Sequence, residues 1–453
     1  MTVSSEHAFM RHVADLLRLA APVIVARAGL ITMAIADTIM VGRFSTQDLA
    51  YLTIGLAPMT TLIVAMTGMV MGTLVVSAAA YGAGHFRECG AAWRRSLPFA
   101  LAVGGVGALI CAFGPSLLAA LGQGPDLAAA GGRVTQVLGL GLPAAIVFVT
   151  STFFLEAIKR PLPGMAMMIA ANVLNVALNW ILIYGHFGFA PLGALGSALA
   201  TTGVRIFLAA GLVIYITCVM ADRNVFGVAL PAGGGWRSWK RQRHIGYAAG
   251  VSLGVEAGAF SILSIFAGWL GPLALGAFSI ALNLIAFAFM VAIGFGAATA
   301  VRVGISHGRG DHAGAARAGW SGLIVNSAAM AIFALIMALA PAVLFALYSD
   351  DAALAAMTVP AIGLAAWVLM ADGGQAVMAN ALRGRGETWV TTACHVFSYL
   401  VVMVPLSWFL ALPAGRGVGG LLEAMLIASI ISLVLVGGRF QWLALRDKRT
   451  LSV

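Results

Sequence analysis

Long apolar stretches dominate the chain, and they are continuous rather than alternating. In order they run near residues 16–41, 49–78, 97–121, 134–157, 164–184 and 192–219, then near 245–270, 276–301, 320–347, 356–382, 391–412 and 418–442. A hydrocarbon core about 30 Å thick takes around 20 mostly apolar helical residues to cross. Each stretch is long enough. Continuous runs of this length exclude a membrane barrel, whose strands alternate and are about half as long. The pattern therefore predicts an all-α polytopic membrane protein with twelve transmembrane helices. Glu6 and Asp15 precede the first run, which is long enough to span, so it reads as a helix rather than a cleaved leader.

The polar residues between the runs orient them. With both termini in the cytoplasm, the inner segments hold 21 of the 26 Lys and Arg residues, and the outer loops hold only Arg43, Arg133 and Arg416. Arg27 and Arg205 fall within spans. This bias is the one expected of cytoplasmic loops and supports an even number of crossings. Composition agrees: 61% of the 453 residues are hydrophobic and 9% charged, against roughly 45–50% and about 25% in an ordinary soluble domain. The net charge of +10 is distributed as orientation signals, with no polar domain to carry a nucleic-acid surface. Cys89, Cys111, Cys218 and Cys394 are far apart, so neither a disulfide framework nor a zinc site is implied.

The two halves of the chain repeat. An offset of 226 sets LAYLTIGL, from Leu49, over LGAFSIAL, from Leu275, and pairs Gly68 with Gly294 and Gly82 with Gly308; later, an offset of 224 sets EAIKR, from Glu156, over NALRG, from Asn380. The predicted organisation is an N-lobe over residues 1–220 (helices 1–6), a cytoplasmic linker over 221–244 and a C-lobe over 245–453 (helices 7–12). Six is even, so the lobes share one orientation and are expected to relate by a pseudo-two-fold axis along the membrane normal. Pro22 and Pro143 sit inside spans and permit bends there.

Carboxylates inside a membrane cost about 2.5–3.5 kcal/mol at a helix centre, so each needs a partner, a proton or a water-filled cavity. Glu156 precedes Lys159 and Arg160 and reads as an interfacial ion pair with them. Glu423 follows Arg416 near the outer boundary. Glu256 and Asp372 lie roughly 20 and 16 Å from the inner surface, close enough in depth to meet across the second bundle. Asp37 and Asn179 share a depth near 28 Å, roughly, at about 1.5 Å per residue, and Asn175 lies on the same helix face as Asn179. Carboxylate and amide oxygens form a hard-oxygen set suited to sodium, and a desolvated carboxylate is also suited to carrying protons. Arg27 and Arg205 either snorkel or neutralise one of these acids. His395, alone in an apolar run, reads as a packed helix-contact residue.

ADTIMVGRFSTQDLAYLTIG (Ala36 to Gly55) and GMVMGTLVVSAAAYGAG (Gly68 to Gly84) resemble the opening of the multidrug and toxic compound extrusion (MATE) family, NorM branch. In the second half GVEAGAF at Gly254, AIGFGAATAVRVGISHGRGD from Ala292 and ADGGQAVMANALRGRGET from Ala371 resemble the same family. The resemblance implies an antiporter that exports organic cations against inward sodium or protons. It implies cation-site roles for Asp37, Asn175, Asn179 and Thr201, acidic C-lobe roles in cation and substrate binding for Glu256 and Asp372, and a bend of the first helix at Pro22. Val368 stands where NorM-type relatives can carry a tyrosine.

The expected function is multidrug efflux by alternating access in the bacterial inner membrane, by a monomer embedded in lipid. Organic cations would be the cargo, sodium or protons the coupling ion, with no other cofactor and no nucleic-acid partner. The alternative within the same superfamily is a flippase or exporter of a lipid-linked or other endogenous metabolite, for which a strongly basic central cavity is expected. No GxxxxGK[ST] loop supports ATP-driven pumping, and no catalytic cluster marks a membrane enzyme.

Overall fold

Hydrocarbon offers no water to pair a free N–H or C=O, so apolar segments of this length close their own backbone bonds as helices. The computed structural model describes residues 3–231 and 235–450, and every regular element among them is helical. The spans are α1 (Val3–Phe44), α2 (Thr46–Gly82), α3 (Phe86–Ala112), α4 (Pro125–Leu140 continued by Leu142–Ala157), α5 (Leu162–Tyr184) and α6 (Gly193–Val219). The second half repeats the series as α7 (Lys240–Trp269), α8 (Pro272–Gly308), α9 (His312–Leu339), α10 (Ala352–Gly384), α11 (Thr388–Ala411) and α12 (Gly417–Thr450). Eleven of these are long and apolar enough to cross singly, and the bent pair in α4 makes the twelfth. Of the expected linker, Ala232, Gly233 and Gly234 lie outside the described residues.

Most departures from the predicted boundaries have a local cause. The helix predicted at 97–121 begins at Phe86, because its basic first turns are helical without being apolar. It breaks before Pro115, which opens a separate short helix, Gly114–Ala120. In the same way α9 stops at Leu339, and Pro341 starts another short helix, Pro341–Ala346. Pro143 has no N–H for the carbonyl of Gly139, and α4 bends by 43° at Gly141. Caps fix several starts: the Ser45 hydroxyl accepts from the Asp48 N–H, and Asp311 and Asp351 accept from Gly314 and Ala353. α11 carries a wide π-helical stretch, Val396–Met403, directly after His395.

The chain divides into two compact units, one of Val25–Gly250 and one comprising the residues up to Ile24 together with Val251 onward. α1, uninterrupted through Pro22, thus contributes to both. In the first unit helices approach closely where glycine allows it: a Cβ on Gly104 of α3 would lie 2.4 Å from the Pro143 Cα of α4. The second unit has the equivalent at Gly384 of α10, where a Cβ would fall 2.5 Å from the Ala300 carbonyl of α8. Small residues at such crossings gain van der Waals contact that lipid cannot supply. In that unit Leu16, Leu19 and Ala20 of α1 pack with Phe295, Ala298 and Val377.

Candidate functional site

Two buried polar clusters form, one in each unit. In the first, α1 delivers Asp37 two turns before its end, α5 delivers Asn175 and Asn179 from one face, and α6 delivers Thr201; all four are buried. Asp37 Oδ1 accepts from Asn179 Nδ2 at 2.6 Å and from Asn175 Nδ2 at 3.1 Å, while Oδ2 accepts from the Thr201 hydroxyl at 2.9 Å. Asn179 Nδ2 also donates to Asn175 Oδ1 at 3.2 Å. Every direct donor to the carboxylate is neutral. Among the described residues, no ion pair within 4.0 Å includes Asp37. Asn179 Oδ1 is buried and has no partner. A sheltered carboxylate beside an orphaned amide oxygen has acceptor capacity left over, which is what a cation or proton requires.

The second cluster centres on Asp372 of α10 and Glu256 of α7. The Gln375 amide bridges them, donating at 3.2 Å to Glu256 Oε1 and at 3.2 Å to Asp372 Oδ1. Asp372 Oδ1 also accepts from the Tyr399 hydroxyl at 3.1 Å and the Ser429 hydroxyl at 3.2 Å. Behind Glu256, His395 Nδ1 lies 3.5 Å from Oε2 and 3.0 Å from the Ser252 hydroxyl, which accepts from Arg383 Nη2 at 2.9 Å. Two carboxylates joined by an amide repel when both are ionised, so the pair favours sharing one positive charge.

All six predicted acids, amides and hydroxyl are thus gathered in two groups, Asp37, Asn175, Asn179 and Thr201 in one and Glu256 and Asp372 in the other. Gln375, Tyr399, Ser429, Ser252 and Arg383 were not foreseen; the helical spacing of His395 and Tyr399 in an apolar run was the available signal. Val368 is an apolar core residue, and the phenol beside Asp372 comes from Tyr399 of α11.

Two sequence readings need correction. Glu156 is buried and faces Arg27, whose Nη2 lies 3.8 Å from its Oε1, whereas Arg160 pairs with Asp222. The chain turns at Lys159, which has φ +61°, and this swings the basic pair away from the helix face that Glu156 occupies. His395 is not only a packing residue, since it contacts Glu256. Of the two alternatives read for Arg205, snorkelling is the one set aside: its Nη1 donates to the Leu138 carbonyl at 2.9 Å. Glu423 pairs with Arg416. Among the described residues no group of three His, Cys, Asp or Glu side chains could hold a metal ion.

Comparison with known proteins gives a consistent picture. The MatE family model matches residues 22–181 and 249–409, one segment in each half of the repeat. The chain is 38% identical over 441 residues to a probable multidrug resistance protein NorM of Caulobacter vibrioides, covering 97% of this chain and 93% of that one. It is 30% identical over 412 residues to the multidrug resistance protein PmpM of Pseudomonas aeruginosa, covering 89% and 83%. Among solved structures, the eukaryotic MATE transporter AtDTX14 superposes with a TM-score of 0.87 over 98% of this chain and 99% of that one, at 18% identity. That last likeness bears on the fold.

Proposed function

The chain belongs to the MatE family, the multidrug and toxic compound extrusion proteins, and on that premise we propose that it is a multidrug efflux antiporter of the bacterial inner membrane. It exports organic cations by alternating access, in exchange for sodium ions or protons moving inward, and keeps both termini in the cytoplasm. The observation that carries this reading is the Asp37 cluster: a carboxylate at membrane depth held by neutral donors from two other helices, with no ion pair within 4.0 Å among the described residues.

In this reading the Asp37 carboxylate, the Thr201 hydroxyl and the Asn175 and Asn179 amide oxygens hold the driving cation. The amides turn their oxygens inward when it arrives. Glu256 and Asp372 supply negative charge for a cationic substrate or a second ion. A cation that binds one conformation better than the other shifts the balance between them, and that difference is the whole of the coupling.

The test is dye efflux from vesicles with imposed sodium or pH gradients, comparing wild type with Asp37→Asn and Asp372→Asn. Gradient-driven efflux is expected to disappear in Asp37→Asn and to fall in Asp372→Asn. Wild-type efflux in both variants would remove these site roles and leave the fold untouched.

A further inference from the structure

The guanidinium of Arg205 has a built seat at the bend of α4. Val137 and Leu138 precede the break at Gly141, and their carbonyls take donors from α6: the Thr202 hydroxyl to Val137 at 2.9 Å and Arg205 Nη1 to Leu138 at 2.9 Å. The Arg205 stem runs along Gly141, where an added Cβ would lie 3.0 Å from its Cδ. An arginine inside a span ordinarily snorkels to an interface. This one is tethered instead, and among the described residues it forms no ion pair within 4.0 Å.

The tether sets the charge close to Asp37. Arg205 follows Thr201 by one helical turn on the same face, about 5–6 Å between Cβ atoms, and the Thr201 hydroxyl touches Asp37 Oδ2. Arg205 therefore acts on the carboxylate through space while leaving its oxygens to neutral donors. Empty, the pair sums to zero charge. A monovalent cation raises the sum to +1 and a divalent one to +2, in surroundings that screen poorly.

We propose that Arg205 is a specificity-determining residue of the Asp37 site, a fixed positive charge that holds the bound cation loosely and restricts it to a single charge. The inference rests on the reading of Asp37 as a cation site and deepens it. Repulsion from this charge, at an effective dielectric of about 20, weakens monovalent binding by at least about tenfold. Because Coulomb energy scales with the charge, divalent binding weakens by at least about a hundredfold.

The test uses the full chain in proteoliposomes and reads the concentration of driving cation, sodium or proton, that gives half-maximal dye efflux. Arg205→Met keeps the stem against Gly141 and loses the charge, and Arg205→Gln is its second, polar form. In either variant half-saturation is expected to fall by at least about tenfold, with added calcium newly inhibitory. Arg205→Lys is expected to stay near wild type, as is Thr202→Val, which loosens the bend without changing charge. Melting of the purified protein with added driving cation gives a readout independent of transport, and the neutral variants should be stabilised at lower concentration. Unchanged half-saturation in a folded neutral variant, or an equal shift in Thr202→Val, overturns the proposal. Asp37→Asn separates the two levels. If it transports normally, the site reading falls; if it is inactive while Arg205→Met matches wild type, only the role of Arg205 falls.

Discussion

Asn179→Ala removes the shortest contact to the Asp37 carboxylate, 2.6 Å, and leaves Asn175 on the same oxygen and Thr201 on the other. Its cost depends on what Asp37 carries. A hydrogen bond to a charged group contributes about 1.5–3 kcal/mol, whereas side-chain bonds between helices in a membrane average about 0.6 kcal/mol. The short distance and the neutrality of the direct donors favour the larger figure when the carboxylate is ionised. A double-mutant cycle with Asp37→Ala isolates the term, because the bond from Asn179 to Asn175 persists in both backgrounds and cancels. Reversible unfolding in mixed detergent micelles at neutral pH, without sodium, supplies the four free energies. A coupling near 2 kcal/mol is expected, roughly thirtyfold in the folding equilibrium. Coupling below about 0.5 kcal/mol would show an ordinary interhelical contact and refute the view of an ionised Asp37 held by neutral donors.

Other perturbations test the surrounding structure. Arg27→Met strands Glu156 in a buried site and should cost about 3 kcal/mol, while Arg27→Met with Glu156→Leu should recover most of it in the same unfolding assay. Gly104→Ala drives a Cβ into the Pro143 backbone and should destabilise by about 1–3 kcal/mol. The neighbouring Gly105→Ala, which meets nothing within 4 Å, should be neutral or slightly stabilising, as read by thermal melting in detergent. Tyr399→Phe removes one of three donors to Asp372 Oδ1 and should cost about 1 kcal/mol by the same melt; no loss would mean that the phenol is not buried against the acid.

The spans were legible because each apolar run obeys a length rule that a bilayer imposes. Asp37 and Asn179 were legible together because helical rise converts sequence distance into depth. Lateral neighbours were not. Depth alone could not say that Arg27 faces Glu156, since that depends on the rotation of α1 against α4 and on the turn at Lys159. Nor could it distinguish a snorkelling Arg205 from one seated on Leu138, because the seat exists only where Pro143 breaks α4. The acids of the second half were placed at a common depth, but the amide of Gln375 that joins them is an uncharged side chain among apolar neighbours and gave little signal.

The wide stretch Val396–Met403 has a consequence for comparing this chain with its relatives. A π-helical segment accommodates a surplus residue within an otherwise α-helical rod, so the stripes before His395 and after Met403 are out of phase by about 100°. Tyr399 lies inside that slip. A gapless alignment against a relative with a regular helix here would pair correct residues on one side of the slip and shifted ones on the other. Loss of a single residue in the segment would turn the part of α11 that follows it by more than a quarter of a circle, carrying the phenol away from Asp372 without changing any side chain's identity.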